Sequence, residues 1–205
     1  MKVLRFAVVG LSLFGVVACS IAMGRLAGIA PPSSLLPYPA WTAAHFVSAA
    51  VFLVIAPLQL WPAFRRRNPR AHRILGRVAV GLGVVIAMSG IPIPFLAPDR
   101  PVAEQIFMSA FFAAFLVMLG QGFRAALARD IPTHQAWMVR MTATALTPLT
   151  QRLVFPVFAV TIGIDGTATF WQLFVSAAWI AWGLNLTVAE AWLRRTARSP
   201  RLAQA

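Results

Sequence analysis

Six long apolar stretches dominate the chain, at residues 3–23, 41–64, 74–96, 102–123, 135–161 and 170–193. An α-helix rises about 1.5 Å per residue, so ~20 apolar residues cross a hydrocarbon core ~30 Å thick. Every stretch meets that length. Membrane strands are excluded, because they alternate inward and outward residues over ~10 positions whereas these runs are continuous. The intervening segments carry turn-forming residues: Pro31-Pro32-Ser33-Ser34 with Pro37 and Pro39, Arg65-Arg66-Arg67-Asn68-Pro69-Arg70, Pro98-Asp99-Arg100-Pro101 and Gly163-Ile164-Asp165-Gly166. The pattern predicts an all-α fold, a polytopic transmembrane bundle of six helices forming one integral membrane domain over residues 1–205, with a basic tail at 194–205.

Composition agrees. The chain is 60% hydrophobic and 11% charged, with a mean hydropathy of +0.77, where soluble domains average ~45–50% apolar and ~25% charged residues. The excess apolar surface must meet lipid, so the bilayer is the first partner implied. Lys and Arg number 18 against 5 acidic residues, a net charge of +13 that would suggest nucleic-acid binding in a soluble protein. Here the bases stand in short clusters between apolar runs, as cytoplasmic loops do, and no soluble module remains to bind nucleic acid. Cys19 is the single cysteine, which excludes an intramolecular disulfide and a Cys-rich metal site.

The bases also orient the chain. With six spans both termini share a side, and that side holds Lys2, Arg5, Arg65, Arg66, Arg67, Arg70, Arg73, Arg77, Arg124, Arg129, Arg140, Arg194, Arg195, Arg198 and Arg201. Only Arg25 and Arg100 fall opposite, and Arg152 lies within a span. The positive-inside rule then predicts both termini in the cytoplasm. Two readings of the first stretch stand. Val16-Val17-Ala18-Cys19 resembles a lipoprotein cleavage box, while the apolar run continuing through Ile21-Ala22-Met23 favours an uncleaved helix.

Polar groups inside the spans fall into two layers. Towards the outer face lie His45 and Arg152; towards the inner face lie Gln59, His72, Arg73, Arg77, His134, Arg140, Asn185 and Glu190. An ionisable group costs at least ~2.5–3.5 kcal/mol at the bilayer centre, so such groups should face protein or water. In the fifth stretch Arg140, Thr144, Thr147 and Gln151 recur at helical spacing and form one stripe, with Pro148 and Pro156 allowing a kink beside it. The alternative for Thr144 and Thr147 is that each hydroxyl bonds a preceding carbonyl of its own helix. Glu190 should pair with Arg77, Arg140 or Arg73, each able to bind it through two hydrogen bonds. That pair is read either as a structural clamp or as part of a proton relay.

His72 and His134 at similar depth offer axial ligands for a b-type haem, with Arg73 and Arg140 available to propionates and Trp137 or Met138 to the ring. The opposing reading is that both histidines cap helix ends. Zinc is disfavoured because no three or four ligands converge. No phosphate loop, nucleophile elbow or His-Glu-x-x-His pair occurs. Ser89-Gly90, Gly81-Leu82-Gly83 and the pair Gly83 and Ala87 read as close helix packing. Trp41, Trp61, Trp171 and Trp192 read as interfacial anchors.

His45 with Pro57-Leu58-Gln59-Leu60-Trp61, then His72-Arg73-Ile74-Leu75-Gly76-Arg77, then His134-Gln135-Ala136-Trp137-Met138-Val139-Arg140 form a three-part pattern. Together with Trp182-Gly183-Leu184-Asn185-Leu186 and Ala189-Glu190, it resembles the bacterial predicted membrane-protein family catalogued as domain of unknown function 2306. The resemblance covers about residues 41–193. Gln135 departs from it, standing where that family commonly has a second basic residue. No activity comes with the resemblance; it implies membership and topology, and marks His45, His72, Arg73, Arg77, His134, Arg140, Arg152, Asn185 and Glu190 for testing.

Three functions are therefore open. The first is a non-enzymatic membrane protein whose inner polar layer of His72, Arg73, Arg77, His134, Arg140, Asn185 and Glu190 binds a small ligand, ion or proton. The second is a b-type haem protein of membrane electron transfer using His72 and His134. The third is a structural or assembly subunit, homo-oligomeric or bound to another protein. No inverted repeat is evident that would indicate a secondary transporter.

Overall fold

The computed structural model describes residues 2–26, 39–96 and 100–198, with side chains at 6–25, 39–96 and 100–197. The spacer from Pro31 to Pro37, the Pro98-Asp99 turn, the side chains of Lys2, Arg5 and Arg198, and Arg201 in the basic tail lie outside these residues. The described residues form helices, with no strand among them. The chain divides into two compact units, Met1–Arg100 and Pro101–Ala205.

The first unit holds α1 (Lys2–Leu26), α2 (Pro39–Leu60), α3 (Pro62–Arg67), α4 (Pro69–Gly90) and α5 (Ile93–Leu96). Helix α1 runs unbroken through Cys19, which is buried. Helix α2 packs on both α1 and α4. The face that α4 buries is small: Ala79, Gly83, Ala87 and Gly90 recur at helical spacing, so the backbones approach closely. Gly81 plays no part in this, since a side chain added there would meet nothing within 4 Å.

The arginine-rich segment read above as a loop is mostly helical. Pro62 and Pro69 each occupy the start of a helix, where a missing N–H costs nothing and the fixed φ fits. Asn68 is the only residue between α3 and α4, its N–H donating to the Phe64 carbonyl and its own carbonyl accepting from His72. His72 and Arg73 accordingly lie inside α4, which starts five residues before the apolar run at 74. The second predicted span, drawn to Phe64, ends instead at Leu60, where α2 gives way to Trp61 and Pro62.

The second unit holds α6 (Val102–Leu127), α7 (Ile131–Ala145), α8 (Thr147–Ile162) and α9 (Thr167–Arg198). Its core is aromatic. Phe107 of α6 lies 5.0 Å from Trp179 of α9, and Phe111 lies 5.6 Å from Trp182, mostly edge to face. Phe155 of α8 meets Phe170 and Phe174 of α9 in the same way. Helix α6 closes through Arg129, whose φ of 60° is left-handed. The Asp130 and Arg129 N–H groups donate back to the Ala125 and Ala126 carbonyls, satisfying groups the helix end would otherwise orphan. Gly163, with a φ of 86°, ends α8.

Among the described residues five helices are long and apolar enough to span a bilayer: Phe6–Arg25, Pro39–Leu60, Pro69–Leu96, Val102–Leu127 and Thr167–Ala197. The fifth predicted span is broken. Helices α7 and α8 meet at Leu146 with a 40° bend, and counting the pair as one span brings the candidate crossings to six. The break falls two residues before Pro148, whose missing N–H removes a partner for the last turn of α7, while Pro156 sits inside α8 without ending it. The protein is an all-α, multi-pass membrane protein.

Candidate functional site

The inner-layer residues expected from the sequence divide between the units. His72, Arg73 and Arg77 belong to α4 in the first, while His134, Arg140, Asn185 and Glu190 belong to α7 and α9 in the second.

Of the three partners open to Glu190, Arg140 takes it. Arg140 Nε donates to Glu190 Oε1 and Nη2 donates to Oε2 at 3.1 Å, a two-pronged contact between α7 and α9. The fork of the guanidinium matches the carboxylate plane, and this geometry fixes orientation as well as charge. Trp137, one turn earlier on α7, lies under the guanidinium at 5.1 Å from carbon to ring centroid. The Arg140 and Glu190 side chains remain 27% and 37% exposed, so the pair is accessible at its rim.

One to two turns further along, the break between α7 and α8 gathers the rest of the polar stripe. The Asn185 amide spans it: Nδ2 donates to the Ala143 carbonyl in the last turn of α7, and Oδ1 accepts from Thr150 Oγ1 in the first turn of α8, each at 3.1 Å. Ala143 lies among the four terminal carbonyls that a helix leaves without an internal partner. Asn185 thus supplies what the break removed. Gln151 Nε2 donates to the Phe174 carbonyl at 3.0 Å, a second tie between α8 and α9.

Thr144 does not bond its own helix. Its hydroxyl accepts from Trp182 Nε1 at 3.1 Å and donates to Met118 Sδ at 3.4 Å, joining three helices at a fully buried point. Thr147 is equally buried, and its hydroxyl has no hydrogen-bond partner among the described residues. By contrast Thr161, Thr187 and Thr196 do bond carbonyls one turn back.

Two of the three histidines, His134 and His45, are held in a common way. His134 Nδ1 lies 2.8 Å from the Gly122 carbonyl of α6, and His45 Nδ1 lies 3.0 Å from the Ile86 carbonyl of α4. A carbonyl only accepts, so in each ring Nδ1 is the donor. Ser89 Oγ, which donates to the Val85 carbonyl, stands 3.5 Å from His45 Nδ1. At Gly122 the side chains of α7 come close: an added Cβ would fall 2.0 Å from Met138 Cε and 3.3 Å from Trp137 Cβ. Arg152, placed with His45 in the outer layer, is exposed and donates to the Pro148 carbonyl of its own helix at 2.7 Å. Gln59, placed in the inner layer, approaches Gly76 in the first unit.

Two features escaped the sequence reading. Glu104 is a buried carboxylate in the first turn of α6, where it complements the helix dipole; its signal was a lone acid opening an apolar run. Trp182 joins the polar stripe through its indole N–H, which no spacing rule discloses. No group of three or more His, Cys, Asp or Glu is arranged to hold a metal ion among the described residues.

Helices, burial and composition together define an integral membrane protein. The chain belongs to the family described as predicted membrane protein (DUF2306), whose model matches residues 42–193, a segment containing His45, His72, His134, Arg140, Asn185 and Glu190. No curated protein and no solved structure matches the chain.

Proposed function

We propose that this is a non-enzymatic protein of the bacterial inner membrane, both termini cytoplasmic, that binds a small ligand, ion or proton at the Arg140–Glu190 pair. One observation carries the reading: a carboxylate and a guanidinium engage through both prongs yet stay about a third exposed, so an incoming charge can compete for either partner. Asn185 and the buried threonines give the pair a fixed frame, since they tie α7, α8 and α9 together.

A thermal-shift panel on the purified chain tests it, covering pH, monovalent and divalent cations, phosphate and small carboxylates. A ligand present at a hundred times its Kd stabilises the folded state by about 2.7 kcal/mol, which a melting curve resolves. The expected result is a shift with one member of the panel that Arg140→Gln and Glu190→Gln abolish while helix content is kept. A panel without effect, or variants that track the parent, would sink the assignment.

A second reading rests on the His134 contact. Donation from Nδ1 to a backbone carbonyl is the arrangement that orients a metal-ligating imidazole and leaves Nε2 to coordinate. This favours His134 as an axial ligand of a b-type haem. A visible spectrum of the membrane-purified protein decides: a Soret band lost in His134→Ala supports haem, and a colourless preparation removes it.

A further inference from the structure

The first 98 residues contain no aspartate or glutamate, yet six arginines fall between Arg65 and Arg77. Three of these, Arg70, Arg73 and Arg77, lie in the opening turns of α4. At about 100° per residue they occupy one face, within about 60° of each other. All three are exposed, and no carboxylate of the described residues pairs with them. Their position is unfavourable for the helix alone. A helix N-terminus carries a partial positive charge that acidic residues offset, and the first turn of α4 has none. Three guanidinium groups repel that pole and one another, so an anion placed among them relieves the repulsion.

The same face changes character further along. Its exposed residues are Ile74, Val78, Gly81, Val84, Val85 and Met88, none with a polar side chain, while Ala79, Gly83, Ala87 and Gly90 are buried. From Arg77 to Met88 the helix advances about 16 Å, and half a hydrocarbon core is ~15 Å. One face of α4 therefore presents cations followed by one leaflet's depth of apolar surface.

We propose that this face is a binding site for an anionic phospholipid, its phosphate held by Arg70, Arg73 and Arg77 and an acyl chain laid along Ile74, Val84, Val85 and Met88. Guanidinium groups suit the site because each can donate two parallel hydrogen bonds to phosphate oxygens.

The test uses the full chain in neutral detergent, titrated with phosphatidylglycerol, phosphatidylcholine or inorganic phosphate, with bound lipid counted by native mass spectrometry and stability followed by melting. Phosphatidylglycerol should bind and raise the Tm, and phosphatidylcholine should do neither. Each arginine near a lipid surface changes affinity about fivefold, so Arg73→Gln should weaken binding about fivefold and the triple glutamine variant about a hundredfold. Arg124→Gln with Arg129→Gln should leave it unchanged. Equal binding of both lipids, a triple variant that binds like the parent, or an equal loss in the Arg124 and Arg129 control would overturn the proposal. Inorganic phosphate that raises the Tm as far as phosphatidylglycerol would overturn the lipid and leave a free-phosphate site. If the triple variant does not fold, Arg73→Gln alone decides.

Discussion

The two units solve one problem with different means. In the first, α2 and α4 approach over alanine and glycine of α4, and His45 ties them through the Ile86 backbone carbonyl. In the second, bulky rings fill the core, and polar side chains are committed across helices: Arg140 to Glu190, Asn185 to Ala143 and Thr150, Trp182 to Thr144. Charge follows the same division. The first unit carries ten bases and a single acid, Asp99, whereas the second carries eight bases and four acids. The lesson concerns solvent: where a span is broken, freed backbone groups have no water to turn to, so neighbouring side chains must be polar and precisely placed. An unbroken helix makes no such demand and can be packed with the smallest residues.

Substitutions can break this contrast. The largest effect is expected at Gly122, where leucine must displace Met138 and press on Trp137; Gly122→Leu should cost about 2–3 kcal/mol in detergent unfolding. Its counterpart in the first unit, Gly81→Leu, meets open space and should stay within about 1 kcal/mol of the parent. If the two cost the same, close approach is not what distinguishes these positions.

Asn185→Leu removes both bonds across the break and should cost about 2 kcal/mol, while His45→Leu removes one bond to a carbonyl and should cost about 1 kcal/mol. Equal losses would mean that the broken span needs no special support. A double-mutant cycle on Arg140→Ala and Glu190→Gln should return a coupling of about 0.5–1 kcal/mol, small because the pair is part-exposed. A coupling of zero would leave the ion pair as geometry alone.

The smallest effect lies at Asp130, which caps α7 by accepting from the Thr133 N–H. Hydrogen bonds from Thr133 hold its carboxyl below the usual 3.8. Its contribution is therefore present above that value and fades as pH falls through the lowered one. Asp130→Ala should lower the neutral plateau slightly and flatten the acid limb, the two stability curves converging at low pH. An unchanged acid limb would show that the cap contributes nothing.

Much of the architecture was readable because continuous apolar length is a one-dimensional property. What the sequence obscured was local: the Arg65–Arg70 segment looked like a loop by composition, although two prolines placed at helix starts make it helical. The kink was anticipated from Pro148 and Pro156, but only the first lies near the break, since a proline inside a helix is tolerated when neighbours absorb the lost bond. The candidate site was harder. Glu190 had three plausible arginines, and choosing among them requires knowing which helices adjoin, information no spacing within one helix contains. Thr144 shows the same limit, its partners coming from positions 118 and 182. Depth along a helix can be counted, whereas azimuth toward a neighbour cannot.

The Asn185 carboxamide has one end of each kind, oxygen and nitrogen, at a separation fixed by its own covalent bonds. Because those ends grip opposite halves of a divided helix, the amide works as a rigid gauge for the angle between them. Isosteric replacement by aspartate would keep the grip on Thr150 and release Ala143, freeing the α7 half alone. The crossing is in this sense hinged on a single functional group, and its handedness of failure is set by which atom is exchanged.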